Sequence, residues 1–502
     1  MNNFINKLEK EMNYTNTENG GIAHKSTLVA VYDMFAFGGA YRNRTNNDCI
    51  LLFKKALEEN ESLAMKCLFY LRNIRGGQGE RRFFRVCYYW LAQKYPAIAS
   101  RNLKYIPEFG RWDDLIFLLG AGIDKEIISI IREQLNQDLL NLKDNEKGIS
   151  LLAKWLPSEN TSSKETKLLA KKVRTYLKMN SVRYRKMLSA LRKKINVLEN
   201  LMSHNQWQDI EFDKIPSKAS LKYRNVFLNK KEISEKYMNF IEDKNKIVKT
   251  STLYPYEIVN KITSHIDFRG HVCLSSQEKE ILSKYWENQK DYFEGKPCKI
   301  MCVVDTSGSM TSSKRKSVTP IDVAISLGMY CAERVEGDFK NYFISFSSKP
   351  QLIKIEGIDF CDKVERIYLQ NLCSNTDLKA TFDLLKDICL MNRTAANDLP
   401  RTLVVISDME IDSGSYWRNE YTRETEMEKI RKEWEEAGLE MPKLIYWNVN
   451  ARHNLILDET ANENISYVSG CSPIIFESVI KNKSGIQLML DILEGELYEN
   501  IR

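Results

Sequence analysis

The sequence predicts two unlike halves: an N-terminal α-helical repeat domain over residues 27–296, then a doubly wound, mostly parallel α/β domain over 297–502. Three observations carry this reading. Apolar residues in the first half recur three and four apart, the period of one helix face. After Pro297, short apolar runs alternate with helical stretches. Charge divides at the same place: residues 1–300 hold 51 Lys and Arg against 35 Asp and Glu, and residues 301–502 hold 23 against 32.

Residues 1–26 are a polar, Asn-rich segment, expected to be frayed or partly helical. Ile50, Leu51, Leu52, Phe53, Ala56 and Leu57 open the helical pattern. Leu63, Cys67, Leu68 and Leu71 repeat it, as do Phe83, Phe84, Cys87, Tyr88 and Leu91. Gly-containing breaks at 75–79 and 109–111 separate these runs. Helices at a spacing of roughly 35–45 residues suggest a stacked solenoid, although no clean internal repeat is present. A polar loop follows at 157–166, and Pro216 and Pro255 mark two more breaks. In the second half, strands are expected at 299–304, 341–346, 351–355, 402–407, 443–449 and 465–469, and helices at 320–335, 377–391, 423–437 and 484–499. A charged insert, 411–432, follows Asp408. The last helix is amphipathic and suited to closing the sheet or docking on the helical domain.

Composition excludes several classes. No run of about 18 apolar residues exists, so no membrane span is expected, and residues 1–11 lack a signal-peptide core. The eleven cysteines are scattered, odd in number and without C-x-x-C, which points to reduced thiols and a cytoplasmic placement. Zinc-hydrolase, P-loop, nucleophile-elbow and dinucleotide-loop signatures are all missing. Asp408 and Glu410 form a carboxylate pair, but no histidine general base is expected beside them, so the chain reads as noncatalytic.

The densest chemistry lies at Asp305-Thr306-Ser307-Gly308-Ser309, directly behind the apolar run 299–304. A buried strand there delivers a carboxylate and two hydroxyls into a tight loop, and Gly308 is expected to supply the sharp backbone. Thr376 adds a hydroxyl at the start of a helix, and Asp408 a carboxylate at the end of the run 402–407. Ligands of open parallel sheets gather at the strands' C-terminal edge. Hard oxygens with little charge suit Mg²⁺ or Mn²⁺. The alternative is that Ser307 and Ser309 merely cap the next helix.

Asp305, Ser307, Ser309, Thr376 and Asp408 together resemble the metal-ion-dependent adhesion site of von Willebrand factor A (vWA) domains, over roughly residues 297–500. Ser374 and Asn375 stand where many members have glycines. In the first half, Arg72-Asn73-Ile74-Arg75-Gly76-Gly77, Gly110-Arg111-Trp112-Asp113-Asp114-Leu115, Lys154-Trp155-Leu156-Pro157 and 215–219 resemble the TROVE domain. The order of the two halves is similar to the TROVE-plus-vWA layout of the Ro autoantigen, and most similar to an uncharacterised Ro-like family. The resemblance implies HEAT-like helical repeats closing into a ring that binds small noncoding or single-stranded RNA. It also implies a vWA metal that captures a partner protein's acidic residue.

The residues make a separate case for RNA. Residues 151–200 hold 13 basic and 3 acidic side chains. Lys171, Lys172, Arg174, Lys178, Arg183, Arg185, Lys186, Arg192, Lys193 and Lys194 are interleaved with Tyr176 and Tyr184, a pattern suited to phosphates and unpaired bases. The bland alternative is a solvated basic surface. Arg75, Arg81, Arg82 and Arg85 form a second candidate set, for which pairing with Asp113 and Asp114 is the competing reading. Trp112 and Trp155 read as helix locks. The expectation is a noncatalytic RNA-binding scaffold whose metal loops face solvent. The alternative is a metal-dependent assembly factor that binds no RNA.

Overall fold

The computed structural model describes residues 11–17, 22–144, 147–195, 198–311, 318–346, 349–370, 377–392, 398–410, 425–457, 464–481 and 483–502. Residues 14–16 and 22–24 depart from the expected frayed or partly helical segment. β1 (Tyr14–Asn16) and β2 (Ile22–His24) pair antiparallel. The backbones of His24 and Ile456 then exchange hydrogen bonds of 2.8 and 2.9 Å, tying this hairpin to the other half.

Helices dominate from Ala30 to Glu287. Side-chain caps begin some of them. Thr45 and Asp48 form a capping box on Asn46–Glu59, and Asn60 caps Glu61–Arg72. In Arg81–Lys94, Phe83, Phe84, Cys87, Tyr88 and Leu91 are all buried, so the spacing read from the sequence is the core face. Pro216 and Pro255 act as starters: Pro216 is the N-cap of Ser217–Asn229, and Pro255 opens Pro255–Thr263, where a missing N–H costs nothing.

The second half is a six-stranded sheet. In chain order the strands are β3 (Ile300–Asp305), β4 (Tyr342–Phe346), β5 (Leu352–Lys354), β6 (Thr402–Ser407), β7 (Lys443–Asn448) and β8 (Ile465–Ser469). Their spatial order is β5-β4-β3-β6-β7-β8, parallel throughout except for the antiparallel edge strand β5. β3 and β6 are buried at every position, which is why they read as unbroken apolar runs. Successive strands run outward from β3 in one direction and from β6 in the other. The boundary between β3 and β6 is therefore the topological switch point. The expected final helix is shorter: Gly485–Leu493 ends before a 3₁₀ turn at Glu496–Tyr498.

The two halves are joined by specific contacts. Tyr498 stacks on Phe109 and meets Tyr70 edge-on, and its hydroxyl accepts from Asn73 Nδ2 at 3.0 Å. Tyr32 Oη donates nothing to Tyr467 but accepts its backbone N–H at 2.7 Å. Gly470, at φ +105°, lies so close to Gln78 that a Cβ would stand 2.1 Å from Oε1. Among the described residues, no helix is long and apolar enough to cross a membrane.

Candidate metal centre and basic face

The switch point brings four of the five expected metal residues together. Asp305 ends β3 and Asp408 follows β6, and both carboxylates are buried. Ser307 N donates to Asp305 Oδ1 at 2.9 Å, Ser307 and Ser309 share a hydroxyl contact of 2.9 Å, and the Ser309 hydroxyl bonds to Asp408. Ser407 Oγ donates to Asp305 Oδ2 at 2.5 Å. Thr376 lies outside the described residues, as do 411–424 of the charged insert.

Burial, followed by the nearby Asp408 charge, pushes the Asp305 carboxyl up. Burial also pushes Asp408 up, with Arg452 pulling against it. Two carboxylates and two hydroxyls are hard donors in one place, a set that fits Mg²⁺ or Mn²⁺. Among the described residues, no three His, Cys, Asp or Glu side chains converge as a metal group, so the hydroxyls would have to complete the shell.

Gly308 does not have the expected role. Its φ lies outside the left-handed region and a Cβ there would meet nothing within 4 Å. The unusual backbone is instead at Met409, with φ +65° for a buried side chain, directly after Asp408.

Sequence reasoning missed Ser407, Arg452 and His453. Arg452 Nη2 lies 3.1 Å from Asp408 Oδ2, and His453 Nδ1 is 2.8 Å from the buried Glu410 Oε1. The expectation of no histidine near the carboxylate pair is therefore overturned. The available signal was topological: in a parallel sheet the loop after β7 opens onto the same edge as those after β3 and β6. The helical half also reaches the neighbouring loop of this edge, after β7, while Gly308 of the first metal loop is exposed. Ala451 N donates to Ala40 O at 3.2 Å, Asn43 Nδ2 to Asn450 Oδ1 at 3.0 Å, Tyr41 Oη to Asn454 Oδ1 at 2.6 Å, and Arg44 to the carbonyl of Arg452. The helical half thus grips the loop that carries Arg452.

The basic candidates divide into charges paired with carboxylates, charges such as Arg75 and Arg82 that are exposed and bond neutral oxygens, and charges with no ion pair among the described residues. Arg81 pairs with Asp113, and Arg85 with Asp114 at 2.6 Å and Asp113 at 3.0 Å. Arg82 donates to Asn46 Oδ1 at 2.7 Å, and Arg75 to Glu108 O at 2.8 Å. These bonds explain the phrases around Arg72 and Asp114. Arg72, wholly buried, donates to Asp114 Oδ2 at 2.9 and 2.6 Å. Gly110 leaves room for that pair, since a Cβ would stand 2.6 Å from Asp114 Oδ2.

On Lys164–Tyr176 and Ser181–Ile195, Lys172 pairs with Asp124 at 3.4 Å and Arg174 with Glu159 at 2.8 Å. Lys194 reaches Asp144 O at 3.2 Å. Lys171, Lys178, Arg183, Arg185, Lys186 and Lys193 are exposed, and none makes an ion pair with a described residue. Tyr184 is buried and donates to Pro157 O at 2.9 Å, which removes it as a stacking platform, while Tyr176 is exposed. Trp112 and Trp155 pack against the core as helix locks, and Arg111 lies 5.0 Å over the Trp155 ring.

Residues 17–132 and 160–296 match the family described as Domain of unknown function (DUF2828), and residues 299–488 match Domain of unknown function (DUF7788). The chain is 27% identical over 525 residues to "Uncharacterized protein L728" of Acanthamoeba polyphaga mimivirus, spanning 96% of this chain and 87% of that protein.

Proposed function

We propose a function for a chain that belongs to the DUF2828 family: a noncatalytic, cytoplasmic RNA-binding scaffold. The helical half holds small or single-stranded RNA. The α/β half presents a divalent cation, Mg²⁺ or Mn²⁺, to an acidic residue of a protein partner. This keeps the likeness to the TROVE-plus-vWA layout as a proposal about ancestry, with HEAT-like repeats in front and a vWA-type site behind.

One observation carries the RNA reading. Six exposed cations, Lys171, Lys178, Arg183, Arg185, Lys186 and Lys193, lie on two consecutive helices and the turn between them, without an ion-pair partner among the described residues. Phosphates supply that countercharge. Asp305, Ser307, Ser309 and Asp408, with Thr376, would hold the cation. When bound, it would keep net positive charge and attract a carboxylate.

The test is retention of a single-stranded oligoribonucleotide across a salt series. A log–log slope of about −0.7 per neutralised phosphate is expected. Lys171→Glu, Arg183→Glu, Lys186→Glu and Lys193→Glu combined should flatten the slope and weaken every sequence alike. Equal retention by wild type and the fourfold variant would overturn the RNA half. The alternative, a metal-dependent assembly factor without RNA, is favoured by Arg81 and Arg85 being spent on Asp113 and Asp114. It predicts that no oligonucleotide is retained at any salt concentration.

A further inference from the structure

A cavity of about 820 Å³ opens between the loop after Trp155, the helix Ser181–Ile195 and the segment 200–206. This is within the range of small-ligand sites, about 300–1,000 Å³. Three cations line it: Arg185, Arg192 and Lys193.

Arg192 is the most telling of them. Its Nε donates to Ala153 O at 2.8 Å, Nη1 to Ser158 Oγ at 2.7 Å and Nη2 to Leu156 O at 2.7 Å. Three of five N–H groups are thereby used, the guanidinium is fixed in direction, and two remain. All three partners are neutral, so a partly buried charge is held in place with no ion-paired carboxylate among the described residues. The carboxylate on the wall, Glu159, is already taken by Arg174 at 2.8 Å and by the Ser181 hydroxyl. Arg185 and Lys193 add two more charges without an ion-pair partner among the described residues. A charge buried without a partner is costly, and an anion entering the cavity offsets that cost.

The rest of the wall is of a different character. His204 Nδ1 lies 2.8 Å from Asn200 O; a carbonyl only accepts, so Nδ1 carries the hydrogen and Nε2 is left to accept from a ligand. Gln206 offers an amide, and Leu188 and Leu201 an apolar surface. The cations thus suit a phosphate, and these other residues a flat polar ring with donors and acceptors on its edge.

We propose that this cavity binds one nucleoside-phosphate unit, the phosphate on Arg185, Arg192 and Lys193 and the base against His204, Gln206 and Leu201. Two sources share that chemistry: a free nucleotide, or one nucleotide of an RNA strand lying across the exposed cations. The second source deepens the RNA reading and rests on it; the first does not.

Calorimetry on the full chain with AMP, GMP, CMP, UMP and inorganic phosphate, beside retention of a single-stranded oligoribonucleotide, tests both. At least one nucleotide should bind saturably, and inorganic phosphate about tenfold or more weaker, because phosphate alone forgoes the base contacts. Arg185→Ala with Lys193→Ala, both at exposed positions, should weaken the nucleotide about tenfold or more. Leu201→Trp should fill the cavity and block the nucleotide. His204→Ala should lower the preference among bases while leaving phosphate binding unchanged, which a merely structural role would not do. Absence of saturable nucleotide binding at millimolar concentration, or equal affinity in the Arg185/Lys193 variant, overturns the cavity even if the oligonucleotide is retained. Nucleotide bound with no oligonucleotide retained supports the cavity with a free nucleotide as its ligand, and removes the RNA reading alone.

Discussion

Replacing Asp114 with Asn tests whether the phrases around Arg72 and Asp114 are structural. Arg72 and Asp114 are 1% and 0% exposed, joined by bonds of 2.9 and 2.6 Å, and Arg85 adds a bond at 2.6 Å. Asp114 also accepts from Arg111 N at 3.1 Å, starting the helix Trp112–Phe117. Asp114→Asn keeps the shape but leaves the Arg72 guanidinium buried without a countercharge. Breaking one side of a buried pair costs about 3–5 kcal/mol, a large part of the roughly 5–15 kcal/mol that holds a domain together. The helical half should melt roughly 6–20 °C lower by calorimetry. Arg81→Ala, which breaks a pair whose arginine is 41% exposed, should cost under about 1 kcal/mol. Burial raises the Asp114 carboxyl, but Arg72 and Arg85 outweigh it and hold it below the usual carboxylate range. A depressed carboxylate contributes stability above its unfolded pKa and loses it as pH falls through the folded one. The gap between wild type and Asp114→Asn should therefore be full at neutral pH and close below about pH 4. A variant within about 1 kcal/mol of wild type at pH 7 would refute this reasoning.

Three further outcomes are expected. Millimolar Mg²⁺ or Mn²⁺ should raise the melting temperature of wild type, by about 2.7 kcal/mol of stabilisation at a hundred times the Kd, and should leave Asp305→Ala unmoved; an equal shift in both proteins would place the ion elsewhere. Arg452→Gln removes a guanidinium that competes with a cation for Asp408, so Mn²⁺ should bind about tenfold tighter by calorimetry, and weaker binding would show that Arg452 supports the site instead. Oligoribonucleotide retention should survive both EDTA and Asp305→Ala, because the exposed cations and the carboxylates lie in different halves; loss of RNA on metal removal would indicate an ion bridging protein and phosphate.

Legibility in the sequence followed the range of the interaction. β6 and β8 fall on the expected 402–407 and 465–469; in β6 the run Leu403–Ile406 is apolar throughout, as a strand buried on both faces requires. The helix Arg81–Lys94 was equally plain from its periodic core residues. Asp305, Ser307, Ser309 and Asp408 were readable because each follows directly on such a strand. Arg452 was not: it lies 44 residues from Asp408, and a loop side chain's target depends on the register of β7 and the grip of Tyr41 and Asn43 on that loop. Charge counting had the same limit. Arg81 and Arg183 look alike in the chain, yet one is spent on Asp113 and the other is exposed with no ion pair among the described residues. The β1–β2 pairing was missed because three-residue strands carry almost no pattern.

The seating of Tyr498 against Phe109 and Asn73 has a consequence during synthesis. Asn73 and Tyr498 are 425 positions apart. At about 5–20 residues per second, a ribosome needs roughly 20–85 s to cover that distance. Once Phe109 has emerged, and for the rest of that interval, the aromatic patch of Tyr70 and Phe109 lacks its cover. The nascent chain therefore presents a sticky apolar face for most of its time on the ribosome, a natural landing place for a chaperone, and one that vanishes when residue 498 arrives.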